Sequence, residues 1–277
     1  MKAARPEAVP IAGGTDVMVE INLDRHRPQA VLDLTRISEL GEWGIDGEHL
    51  RVGAGVTYAR LIDELGTRLP GLRQASRTVG SPQIRNRGTV GGNLGTASPA
   101  GDAHPPLLAA EAIVELESVS GRRRVPARDF FVGPKRSAKR SDELIAAFLI
   151  KPAAGPQQFS KVGTRNAMVI AVCSFALALD PASRRVGTGI GSAAPTPISA
   201  SDAERFMEGV FDEQHLWESP RALDESVVAR FGELAAGAAR PIDDVRGTAG
   251  YRRHALTVLA RRCLLWCWDD YRRVGTK

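Results

Sequence analysis

Cysteine is scarce, with three in 277 residues. An odd and small number cannot build a disulfide framework and fits a reducing compartment. It also denies the chain the set of thiolates that an iron–sulfur cluster of its own would need. Aromatic residues make up 5 %, too few and too scattered for the stacking platform of a nucleic-acid binder. No apolar run reaches the ~18 residues of a membrane-spanning helix. The longest, AMVIAVCSFALAL from Ala167 to Leu179, reads as a buried strand. The opening MKAARPEAVP lacks the apolar segment of a secretory signal, so a cytoplasmic protein is expected. No metal-ligand constellation and no nucleophile triad stands out.

What is present begins with positive charge. The net charge is +5, with clusters at Arg122 to Arg124 and Lys135 to Arg140. Scattered solvated arginines account for this, or a patch facing an acidic partner protein. Leu256, Leu259, Cys263, Leu264 and Cys267 share one helical stripe. Both thiols are therefore expected in a core rather than on a ligand.

The first half alternates strands, glycine turns and short helices. AVPIAGG ends a strand in a glycine turn, and Thr15 and Asp16 can cap the segment VMVEINL. QAVLDLT and HLRVGAGV read as strands. Thr57 caps the helix YARLIDEL, which Gly66 closes. Pro105 and Pro106 suit the first turn of a further helix. AIVELESVSGRRRVPA is a hairpin turned at Ser120-Gly121, and ELIAAFLIK is another strand. Ala153 to Gln158 reads as a linker.

Strands follow in FSKVGTRN, AMVIAVCSFALALD and RRVGTGIGSAAP. A capping box of Ser201 and Glu204 is expected to open SDAERFMEG. Helices are expected over about Leu223 to Ala236 and from Thr248 onward. The expected fold class is α+β. The elements run α/β, then antiparallel β, then β strands with terminal helices; the resemblance given below implies a small α/β part and an antiparallel part over 1–153, and a C-terminal domain of a three-stranded antiparallel sheet with helices over 157–277.

Two stretches carry more glycine than any packed element wants. One is IAGGTD, Ile11 to Asp16. The other is TVGGNLGTASPAGD, Thr89 to Asp102, read as a loop because glycine and proline are poor in helix interiors and strands. Glycine-rich backbone leaves N–H groups unshielded, and several aimed into one concavity bind an anion. One pyrophosphate has enough oxygens to engage both, which points to a dinucleotide. Neither stretch is a P-loop or a G-x-G-x-x-G fingerprint.

IAGGTD, SPQIRNRGTVGGNLGTASPAGD, FSKVGTRNAMVIAV, GIGSAAPTPISA and DDVRGTAGYRRHALTVLARR occur in this order over nearly the whole chain. In this the chain resembles the FAD-binding (medium) subunits of molybdenum hydroxylases, among them bacterial xanthine dehydrogenase and carbon monoxide dehydrogenase. A shorter segment precedes Ile11 than is usual in that family, which bears on the packing of the first small sheet and on FAD affinity.

The resemblance implies FAD as cofactor. It implies that Ala12, Gly13, Gly14 and Thr15, flanked by Ile11 and Val17, wrap the pyrophosphate with backbone amides. Thr89, Val90, Gly91, Gly92 and Asn93 would supply its other side. Asp16 would lie beside the flavin, or merely cap its helix. Asp102 would accept from a sugar-chain hydroxyl, or merely shape an Asx turn. Lys161 would stand near the flavin, or be an exposed strand lysine. Val79 and Ile145 would bear on the rings, or simply pack.

The implied partners are a molybdopterin-binding large subunit and a [2Fe-2S] small subunit, with NAD⁺ as a possible acceptor and no nucleic acid. The implied activity is an oxidoreductase whose substrate site lies on another chain, in xanthine or hypoxanthine oxidation. Rival readings are a carbon monoxide dehydrogenase or aromatic hydroxylase medium subunit, a self-contained FAD oxidoreductase of UDP-N-acetylmuramate dehydrogenase type, and a scaffold that has lost its cofactor.

Overall fold

The computed structural model describes residues 2–275. Strand β1 (Val9–Ile11) runs into helix α1 (Val17–Asn22) and returns as β2 (Val31–Asp33), parallel to β1. Gly14 makes the turn with φ +77°, a left-handed conformation that glycine adopts without strain. This sheet has two strands, and α1 buries none of its residues.

The next sheet has five antiparallel strands. β3 (Trp43–Asp46) and β4 (His49–Gly53) form a hairpin. Five short helices follow: α2 (Tyr58–Arg60, continued by a wider π turn through Leu65), α3 (Pro70–Thr78), α4 (Pro82–Arg87), α5 (Val90–Thr96) and α6 (His104–Ala109). The hairpin β5 (Ile113–Ser118) and β6 (Gly121–Pro126) comes next, with Ser118 paired to Gly121. After α7 (Ala127–Phe130), the small hairpin β7 (Phe131–Gly133) and β8 (Arg136–Ser137) leads to β9 (Leu144–Ile150).

The sheet order is β3-β4-β9-β5-β6. β9 is central, which explains its continuous apolar sequence: six of its seven residues are buried. Leu50, Val52, Leu61, Leu94, Val114 and Phe148 make the core beneath the helices. The basic triplet is spent on ion pairs, Arg122 with Glu117, Arg123 with Glu143 and Arg124 with Asp46.

The last sheet is β10 (Gln157–Val162), β11 (Cys173–Asp180) and β12 (Arg185–Gly191), antiparallel in that order. Helices α8 (Ser201–Glu213), α9 (Glu225–Ala238) and α10 (Ala249–Gly275) cover one face. Leu256, Leu259, Cys263, Leu264 and Cys267 lie in that core as their stripe predicts, the two thiols fully buried. Each large apolar side chain so buried is worth roughly 1.5–3 kcal/mol.

The other face of β12 is nearly bare, since Gly187, Gly189 and Gly191 alternate along it. An added Cβ at Gly187 would lie 1.9 Å from Ala109 O, and one at Gly189 2.0 Å from Pro105 O. The α6 backbone thus presses directly on the strand. A side chain at either position would push α6 off the strand.

Four expectations change. Residues 90–96 are helical rather than a loop. Thr89 caps that helix, its Oγ1 accepting from Gly92 N at 2.8 Å, and Gly91 packs against Ala54 where no Cβ fits. The strand in the long apolar run starts at Cys173, not Ala167, because Met168 turns at φ +52° and leaves Met168 and Ile170 half exposed. No capping box opens α8. Ser201 is already helical, and Glu204 instead accepts from Thr188 N and Oγ1 at 2.8 and 2.7 Å. Gly66 ends its helix at φ −62°, so it serves close packing rather than a left-handed cap; a Cβ there would meet Ile62 O at 2.4 Å.

Candidate cofactor-binding site

The first glycine turn lies directly on the chain that leads into α5. A Cβ on Gly13 would fall 1.9 Å from Arg87 O and 3.0 Å from Gly88 Cα. Asp16 then ties the turn to α5: its Oδ2 accepts from Thr96 Oγ1 at 2.8 Å. Asp16 precedes α1 but makes no side-chain cap to it. Two glycine stretches about eighty positions apart in sequence are therefore joined by contact and by a hydrogen bond.

They border one cavity of about 660 Å³, within the ordinary range for small-ligand sites. Of the sequence-predicted residues, Ala12, Gly13, Gly14, Thr15, Asp16, Val17, Val79, Thr89, Gly91, Gly92, Asn93 and Ile145 line it. Ile11 and Val90 do not. Ile11 belongs to β1 and Val90 to the core beneath α5.

Asp102 and Lys161 also stand outside that lining, and they bind each other. Lys161 Nζ donates to Asp102 Oδ2 at 2.5 Å, to Thr78 O at 3.1 Å and to Val169 O at 3.2 Å. The two side chains are 9 % and 10 % exposed, so this is a buried pair bridging α3, β10 and the segment before α6. Burial raises the Asp102 carboxyl above its ordinary range, while Lys161 and the Thr78 hydroxyl draw it back. Asp102 Oδ1 is buried and has no partner among the described residues. On the far side of Thr78 and Lys161 a second cavity of about 770 Å³ is bordered by Arg77, Arg85 and Arg165.

His104 is fully buried and braces α5 from below. Its Nε2 meets Asn93 O at 3.2 Å, and its ring packs on Phe131 with centroids 4.6 Å apart. The Ser98 carbonyl faces the ring as well, without closing a hydrogen bond of good geometry. Burial pushes the imidazole down to about 4 from 6.5, so it is neutral in the folded protein. A base held neutral adds stability that is complete above 6.5 and is lost as pH falls toward 4. The difference amounts to about 3 kcal/mol. Unfolding free energies across that window should show this slope, and His104→Gln should flatten it. An equal slope in the variant would remove the assignment.

Sequence reasoning missed several lining residues. Lys135 and Lys139 belong to the run read as solvated charge, but the β7–β8 hairpin carries them to the rim, where Lys135 also pairs with Glu20 at 2.9 Å. Tyr58 lines the cavity too, and no local signal separates it from a core aromatic. Among the described residues, no group of His, Cys, Asp and Glu is placed to hold a metal ion, and no helix is long and apolar enough to cross a membrane.

The class follows from comparison. Residues 1–152 match the family described as the FAD binding domain in molybdopterin dehydrogenase, and residues 158–267 match the CO dehydrogenase flavoprotein C-terminal domain. The chain belongs to this family of FAD-binding oxidoreductase subunits, and FAD is its cofactor.

It is 33 % identical over 216 residues to the xanthine dehydrogenase FAD-binding subunit of Escherichia coli O157:H7, covering 74 % of each chain. It is 36 % identical over 181 residues to the nicotinate dehydrogenase FAD-subunit of Eubacterium barkeri. That match covers 63 % of this chain and 61 % of the relative. In structure it resembles the carbon monoxide dehydrogenase of Hydrogenophaga pseudoflava, with a TM-score of 0.85 at 26 % identity over 95 % of this chain and 90 % of that one.

The site fits the cofactor on its own terms. Gly92, unlike Gly13 and Gly91, is open: a Cβ there would meet only Thr89 Oγ1, at 3.1 Å. The first-turn N–H groups of α5 have no carbonyl four residues back. Bare backbone thus borders the cavity at Gly92, whose own amide is held by Thr89 Oγ1.

Proposed function

We propose that this chain is the electron-relay subunit of a molybdenum hydroxylase complex. It would work beside a molybdopterin-binding large subunit and a [2Fe-2S] small subunit in the cytoplasm, with xanthine or hypoxanthine as substrate and NAD⁺ as acceptor. The observation that carries the reading is the convergence of the first glycine turn and the glycine-rich start of α5 on one cavity. The two curated relatives named above, at 36 % and 33 % identity, are named for nicotinate and for xanthine, both nitrogen heteroaromatics, and this favours such a substrate over carbon monoxide. We assign residues 1–153 to cofactor binding and 157–277 to the C-terminal domain.

Bound FAD accepts electrons singly and releases a pair as hydride. The chain's own part is to bind and orient. Ala12 to Thr15 and Thr89 to Asn93 hold the diphosphate from two sides. Asp102 offers Oδ1 to a ribityl hydroxyl, and Lys161, gripping Oδ2, fixes that carboxylate in place. Val79 and Ile145 bear on the rings and keep water away.

The test is to purify the native assembly, identify its subunits, release the nucleotide by heating and assay xanthine-dependent NAD⁺ reduction. Flavin in the released fraction, with NADH formed only when xanthine is present, is the expected result. Absence of flavin from an intact complex, with none taken up on addition, would defeat the proposal. Flavin reduction in the isolated chain by a substrate of its own would favour the self-contained enzyme.

A further inference from the structure

No residue from Val9 to His49 is buried. The β1-α1-β2 unit lies inside that stretch, so it has no core of its own. Met18, Val19, Leu23 and Val31 stay between 45 % and 56 % exposed. A segment with so little apolar burial opens at low cost, and it opens as one piece.

Polar contacts hold the unit instead. Within it β1 pairs with β2, and Leu34 N donates to Ile11 O at 2.9 Å. Toward the rest of the protein, Gly13 lies on the backbone of Arg87 and Gly88. Two side-chain ties cross over as well. Thr96 Oγ1, on α5, donates to Asp16 Oδ2 at 2.8 Å. Lys135 Nζ, on the β7–β8 turn, donates to Glu20 Oε1 of α1 at 2.9 Å.

Asp16, Glu20, Thr96 and Lys135 all line the cofactor cavity. The ties therefore span it. The unit forms one wall, and α5 with the β7–β8 hairpin forms the other. Lys135 is anchored to its wall, since its backbone N–H donates to Ala97 O at 3.1 Å, just past α5. Lys135 and Glu20 are 63 % and 37 % exposed. Their tie thus sits at the solvent rim, where an ion pair is weak and readily broken.

We infer that the β1-α1-β2 unit is a flap that swings open to admit the dinucleotide, and that the Glu20–Lys135 ion pair is its clasp. Leu34 to Ile37, outside any strand or helix, is the hinge. A ligand that touches both walls favours the closed state. What enters rests on the cavity being the FAD site; the motion itself does not.

Amide hydrogen exchange on the apo chain reads the flap without any ligand. Residues 9–33 are expected to exchange together, about 100-fold or more faster than β9 and β11. Lys135→Met is expected to speed them about threefold while β9 and β11 hold. FAD release from the loaded chain, followed by flavin fluorescence in a chase, should quicken about threefold in the same variant. Glu20→Lys with Lys135→Glu rebuilds the pair with its charges exchanged, and both rates should return to the wild-type values.

Residues 9–33 protected as strongly as β9 would overturn the flap. Unchanged exchange in Lys135→Met overturns the clasp. If FAD release alone quickens and the exchanged pair does not reverse it, Lys135 acts on the ligand and the clasp is again overturned. A wild-type chain that takes up no FAD removes the cavity reading alone, and the exchange rates still decide the flap.

Discussion

Gly92→Val lowers FAD affinity by about 100-fold or more and leaves the apo fold intact; this is the expected result of a titration paired with a melting curve. The reason is a contrast within one glycine pair. Gly91 faces inward, and a Cβ there would lie 2.4 Å from Ala54 Cβ and O. A side chain at Gly91 therefore breaks the packing of α5 and tells nothing about the ligand. Gly92 faces the cavity, and its only near neighbour is the Thr89 hydroxyl that caps the helix. Valine at 92 fills cavity space that the proposed diphosphate contact needs while displacing little else. Wild-type affinity in Gly92→Val would show that α5 does not touch phosphate. A melting temperature lowered by more than about 8 °C would show that the position is structural after all.

Lys161→Met carries the largest expected stability loss, about 3–5 kcal/mol at neutral pH, the usual consequence of stripping one partner from a buried charge pair. Asp102 would keep only Thr78. The carboxyl already titrates above 3.8 because burial outweighs its partners. Without Lys161 it rises further. A carboxyl whose folded pKa exceeds its unfolded one binds more protons when folded, so it favours the fold in acid and penalises it as pH rises through the folded value. The variant's deficit is therefore greatest at neutral and alkaline pH and shrinks in acid.

Urea denaturation at several pH values reads this directly. Adding Asp102→Asn to Lys161→Met should recover most of the loss, since an uncharged amide does not need the ammonium. A deficit independent of pH, or no recovery in the double variant, would mean that the pair does not act as described. Flavin content, measured alongside, separates the two functions of this contact. Asp102→Asn alone keeps an oxygen for the proposed ribityl contact but leaves Lys161 with the Thr78 and Val169 carbonyls and no counter-charge, so it should cost stability more than affinity.

Much of this was legible in the residues alone. The order of elements followed from apolar periodicity and turn chemistry, as in the β5–β6 hairpin, the proline-led α6 and the cysteine stripe of α10. Those signals are local, and local signals survive wherever tertiary contacts agree with them. The glycine pairs marked two segments that border one cavity, because only a bare backbone tolerates such close approach, and that requirement is written residue by residue.

Tertiary structure alone decided the rest. α5 is helical although its glycines each cost about 1 kcal/mol against alanine, because the Thr89 cap and the contact with Ala54 outweigh propensity. The long apolar run begins its strand only at Cys173, because the chain turns at Met168, and the Val169 carbonyl there accepts from Lys161. Glu204 leaves its expected cap because Thr188, on the β12 strand that α8 packs against, offers two donors. Asp16 with Thr96, Lys161 with Asp102, and Glu20 with Lys135 join positions far apart in the chain. No periodicity encodes such pairs. Sequence set which backbone could be left bare; the packing of one segment on another decided what that bare backbone faces.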